Sequence, residues 1–135
     1  MSRVAGTTFK QAMTDLVLVS AGMERSTFLR ADVPAGLGAT PHLGRPLVVP
    51  GDAYPYTRRH APSSTLHSNL VEMSRWTHAV SDATVLDAEW SERMAAPVLP
   101  LDDPPCEEAV TLAWGLGTWR GHRAVSHSGI PCGTV

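Results

Sequence analysis

Lysine is nearly missing from this sequence: Lys10 stands alone beside ten arginines, and the formal net charge is −2 over 135 residues. With no basic stripe to neutralise a run of phosphates, nucleic acid is not an expected partner. No apolar run approaches the roughly 18 to 20 residues that cross a bilayer, so no transmembrane segment is expected. Residues 1–10 contain no signal-peptide core, which leaves a chain expected to be soluble and without an assigned location. Cysteine is scarce too. Cys106 and Cys132 sit far apart in proline-flanked turns without CxxC spacing, a pattern that fits two free thiols better than a disulfide framework. The six histidines show no HExxH spacing, and His122 and His127 fall on opposite faces of any strand that holds both, so neither a metal nor a cofactor is expected. Internal repeats and low-complexity tracts are absent.

What is present has the balance of an ordinary globular domain, with 43% hydrophobic and 18% charged residues. Phe9, Met13, Leu16 and Val17 recur at helical steps over residues 7–19, and Gly22 is placed to end that helix in a left-handed conformation. Residues 31–62 carry six prolines and four glycines, a long excursion with at most short strands, in which Tyr54-Pro55-Tyr56 is read as a packed loop. A second helix is expected from Asn69, with Glu72 reaching back to complete a reciprocal capping box. Leu70, Met73, Trp76, Thr77 and Val80 follow as a stripe built for burial. A third, short helix is expected over residues 87–96, capped by Asp87 and ended by Pro97.

An acidic, proline-rich linker over residues 97–108 leads to a change of period from helical to alternating. Leu112, Trp114 and Leu116 alternate along a strand, Arg120-Gly121 makes the reversal, and Val125 returns with His127, giving a β-hairpin over residues 109–128. The tryptophans at 76, 90, 114 and 119 are read as core.

Four features in this order carry a resemblance: Ala21-Gly22-Met23-Glu24-Arg25-Ser26-Thr27-Phe28 after the first helix, Ala61-Pro62-Ser63-Ser64-Thr65-Leu66 leading into the helix with Arg75-Trp76, the arm Trp114-Gly115-Leu116-Gly117, and His127-Ser128-Gly129. Together they resemble the serine hydrolases that include β-lactamases, penicillin-binding DD-peptidases and related esterases, over residues 7–129. Ser20-Ala21 stands where that family prefers proline-leucine, and Ile130-Pro131-Cys132-Gly133 lacks the family's second glycine. The resemblance implies an α+β fold class, here part of the β-lactamase/DD-peptidase-like fold: a helical, loop-rich segment followed by a β-hairpin of an antiparallel sheet, as one partial domain over residues 1–135.

The same resemblance implies small-molecule ester, amide or β-lactam substrates, cleaved through an acyl-enzyme. That chemistry needs a serine activated by the amine of Ser-x-x-Lys and helped by the tyrosine of Tyr-x-Asn. Neither motif occurs. Thr7-x-x-Lys10 is the nearest match, and it falls where the resemblance places an ordinary helix with a solvated lysine at its end. In the family the nucleophile lies N-terminal to these motifs, so the chain is expected to be a partial hydrolase, inactive alone.

By resemblance His127 takes the lysine position of the third motif and is the one catalytic candidate. Ser128 is its hydrogen-bonding neighbour in the substrate-binding wall, Gly129 lets substrate approach the strand, and the Ile130 N–H is a second oxyanion donor. The alternative for His127 is a hydrogen-bonded strand histidine without chemistry. Two further readings stay open. One is a binding or complementation module that associates with a separate N-terminal half, with self-association through exposed apolar faces as its hazard. The other is a self-contained small fold unrelated to the hydrolases.

Overall fold

The computed structural model describes residues 6–40, 42–43, 47–48, 58–101 and 108–127. Cys106, Cys132 and the Tyr54-Pro55-Tyr56 element lie outside these residues. The chain divides into two units, Met1–Val85 and Leu86–Thr134.

In the first unit, the Thr8 side chain accepts from the Gln11 N–H and starts α1, Phe9–Met13. The helix then widens into a π-turn over Thr14–Leu18, where the Val19 N–H donates to the Thr14 carbonyl five residues back. The extra residue shifts the register. Leu18 becomes buried, while Leu16, expected on the inner face, stays 63% exposed. Gly22, at φ +68°, closes the segment: its N–H donates to the Val19 carbonyl and the Met23 N–H to the Leu18 carbonyl, the paired bonds of a Schellman motif. Leu18 and Met23 accordingly meet in one buried cluster with Ala21, Phe28, Ala61 and Ala79, against which Phe9, Met13, Trp76 and Val85 pack. Phe9 and Phe28 add an edge-to-face pair, their centroids 5.2 Å apart.

After a 3₁₀ turn at Arg30–Asp32 come two short antiparallel strands, β1 (His42–Leu43) and β2 (Leu47–Val48). A second 3₁₀ turn, Arg58–His60, runs into α2 (Ala61–Ser64). Thr65 donates its hydroxyl proton to the Phe28 carbonyl, and Thr27 and His67 exchange both backbone bonds, at 3.0 and 2.8 Å. These contacts hold the segment after α1 against the approach to α3 (Leu70–Ser81).

Asn69 caps α3 as expected, accepting from the Glu72 N–H at 3.1 Å. Glu72 does not complete the capping box. Its carboxylate turns to the other chain segment and accepts from the Arg25 N–H at 2.7 Å and the Ser26 hydroxyl at 2.6 Å; the Ser26 and Ser68 hydroxyls are also 2.7 Å apart. Burying that carboxylate rotates the helix. Glu72, Trp76 and Ala79, spaced by four and three, form its inner face, and Leu70 is 87% exposed, contrary to the stripe expected from apolarity. Arg75 donates to the Gly22 carbonyl at 2.7 Å, fastening α3 to the Schellman turn.

In the second unit, Asp87 caps α4 (Ala88–Ala95) by accepting from the Trp90 N–H, and Ala96 is extended ahead of Pro97, as a pre-proline residue should be. Trp90 is half exposed, with the Arg93 guanidinium stacked 4.4 Å from its ring centre. Strands β3 (Leu99–Pro100), β4 (Ala109–Val110), β5 (Gly115–Trp119) and β6 (His122–Ser126) form an antiparallel meander in that order. Part of the expected linker thus pairs as β3. The β5–β6 reversal falls at Arg120-Gly121, both with positive φ (50° and 81°), the conformation of a two-residue I′ hairpin turn.

Candidate functional site

The site builds on the end of the β5–β6 hairpin opposite that turn. Gly115 pairs with Ser126, so His127 follows the last pair and faces the segment that enters β5. Trp114 does not continue the strand back through Leu112, as alternation predicted. Thr111 folds the chain instead: its hydroxyl oxygen accepts from the Ala113 and Trp114 N–H groups at 3.2 and 2.9 Å and donates to the Trp114 carbonyl at 3.0 Å. The Thr111 N–H donates to that same carbonyl at 2.8 Å. A 5% exposed threonine therefore holds a tight turn between β4 and β5. The signal in the sequence was a hydroxyl residue three positions before Trp114, which competes locally with strand pairing.

Residues 110–115 and His127 together line a cavity of about 290 Å³. Of the four site residues read from the sequence, the structure brings His127 to this cavity; Ser128, Gly129 and Ile130 lie outside the described residues. A neutral histidine carries one donor and one acceptor nitrogen.

No lysine is among the described residues that line the cavity. Lys10 pairs with Asp32 at 2.5 Å in the first unit, and its side chain stays 39% exposed. Among the described residues there is no group of three potential metal ligands, and no helix is long and apolar enough to cross a membrane.

A family model described as Beta-lactamase matches residues 1–135. Among solved structures, the octameric penicillin-binding protein homologue from Pyrococcus abyssi superposes with a TM-score of 0.73 at 15% identity, covering 93% of this chain and 29% of that one. The D-amino acid amidase from Ochrobactrum anthropi SV3, complexed with L-phenylalanine amide, gives 0.69 at 14% identity, covering 93% of this chain and 38% of the amidase. The chain thus spans about a third of the length of these neighbours. No curated protein matches it in sequence.

Proposed function

This chain belongs to the beta-lactamase family, and from that premise we propose that it forms one wall of an acyl-transfer cleft and does not complete the reaction alone. The family membership supports hydrolase chemistry and sets aside an unrelated small fold. The cleft would take an ester, amide or β-lactam. The observation that carries the reading is the His127 cavity beside a sequence that contains neither Ser-x-x-Lys nor Tyr-x-Asn.

In the reaction a serine oxygen bonds to the acyl carbon as the ester or amide bond breaks, and water then releases the acid. His127 would hydrogen-bond the substrate beside that serine, with Ser128 as its polar neighbour. Gly129 would let the substrate lie against the backbone, and the Ile130 N–H would supply a second oxyanion donor. In another serine hydrolase, loss of the nucleophile lowers turnover by roughly a million-fold, so the wall alone offers no compensation. Treatment of the purified chain with a fluorophosphonate is expected to leave it unlabelled by mass spectrometry; stoichiometric labelling of one residue would overturn the proposal.

The exposed apolar residues favour a second reading, a complementation module. Val19, Leu70, Leu112 and Trp119 each present large apolar surface. Such faces would seat the remainder of the fold or a second copy of the chain. Sedimentation of the purified chain, alone and with a polypeptide bearing Ser-x-x-Lys and Tyr-x-Asn, tests this: a heteromeric species supports it, and unchanged components at micromolar concentration remove it.

A further inference from the structure

We propose that Thr111 is a positioning residue for the His127 wall: through the connection that it closes, its hydroxyl sets how β5 enters the sheet beside Ser126 and His127. This rests on reading His127 as part of that wall.

The path between the two residues is short and continuous. Val110 pairs with Gly115, so residues 111–114 are a four-residue connection, and Gly115 pairs on its other side with Ser126, the residue before His127. Leu99, Val110, Gly115 and Ser126 thus stand in one row across the four strands. A change in the connection has one buried glycine, Gly115, between it and the strand that leads to His127. Residues 110–115 and His127 line the same cavity.

The apolar pattern alone does not ask for that connection. Leu112, Trp114 and Leu116 alternate as a strand would, and a strand running on through them would remove the turn that lines the cavity. The Thr111 side chain decides against it. Its oxygen accepts from the Ala113 and Trp114 N–H groups at 3.2 and 2.9 Å, and its proton goes to the Trp114 carbonyl at 3.0 Å. Only the fourth bond of the turn, Thr111 N–H to that carbonyl at 2.8 Å, is one that other residues could make. At 5% exposure the threonine has little water to replace its partners. Valine keeps the shape and branching of threonine, removes the acceptor and favours strand, whereas serine keeps both the acceptor and the donor.

The test follows the histidine ring resonances of the isotope-labelled chain by NMR in Thr111→Val and Thr111→Ser, with His127 and His122 assigned by single replacement with glutamine. His122, paired with Trp119 at the other end of the hairpin, is the internal control. Thr111→Val is expected to shift the His127 ring together with the Ala113 and Trp114 amides and to leave His122 in place, and Thr111→Ser to restore the native positions. Shifts at 113 and 114 with His127 unmoved would reduce Thr111 to a local turn former and overturn the proposal, as would an unchanged spectrum. If Thr111→Val does not fold, the native chain carries the test: on warming below its unfolding transition, the His127 ring is expected to track the Ala113 and Trp114 amides more closely than His122 does, and independent drift overturns the proposal. The wall reading fails on a different result, assisted ester turnover unchanged by His127→Ala, which leaves the coupling of Thr111 to His127 standing.

Discussion

The Ser26 hydroxyl donates to the Glu72 carboxylate at 2.6 Å, joining the segment after α1 to the first turn of α3 through a side chain that is 2% exposed. With the Arg25 N–H as its second donor, this carboxylate exchanges water for two protein hydrogen bonds, and the cap from Asn69 fixes the turn that carries it.

Replacing Glu72 therefore leaves buried donors without an acceptor. Glu72→Ala is expected to cost about 3 kcal/mol and Glu72→Gln, which keeps the shape and one acceptor oxygen, about 1 to 2 kcal/mol. Urea unfolding monitored by circular dichroism measures both, and a Glu72→Ala cost below that of Glu72→Gln would contradict this account.

The Schellman turn gives a second expectation. An alanine at position 22 finds the Arg75 side chain at an ordinary 3.6 Å, so crowding is minor and the φ of +68° sets the cost, about 1 kcal/mol for Gly22→Ala. The same unfolding midpoint reads it.

At the hairpin tip, Arg120 occupies a left-handed conformation that favours asparagine or glycine. Its guanidinium lies 5.8 Å from the exposed Trp119 ring, a contact near the outer limit of cation–π attraction that returns about 0.5 kcal/mol at most. Relief of the backbone is the larger effect, at roughly 1 kcal/mol. Arg120→Asn is thus expected to stabilise the chain by about 0.5 kcal/mol, visible as a higher unfolding midpoint.

His67 predicts a pH dependence. Burial, and secondarily the Arg30 charge, hold its pKa below the ordinary 6.5. The unfolded chain then binds the proton more readily than the folded one. This contribution to stability is fully present above pH 6.5 and is lost as pH falls through the folded-state value. Unfolding midpoints should decline as the medium is acidified below pH 6.5, and His67→Gln should flatten that part of the decline.

How much of this was legible in the sequence depended on whether a residue's partner was local. Asn69 and Asp87 mark helix starts because each caps an N–H three residues on, and Arg120-Gly121 marks its own turn. Gly22 is legible for the same reason, since its own left-handed φ ends the helix. The inner face of α3 was not legible, because a glutamate is expected outside until Arg25 and Ser26, more than forty residues away, supply its donors. Leu16 was misplaced by a π-turn that helical spacing does not foresee, and Leu112 and Trp114 by the Thr111 turn. The ordered motifs pointed to the family and to His127, while the cavity around it required the turn at residues 111–114 to be seen folded.

The most direct test of the central claim is hydrolysis of an activated ester by the purified chain, before and after addition of a separately made polypeptide carrying Ser-x-x-Lys and Tyr-x-Asn. The account predicts no saturable turnover from the chain alone, and turnover after mixing that falls with His127→Ala. Saturable hydrolysis by the chain alone, abolished on replacing Thr7 or His127, would contradict it.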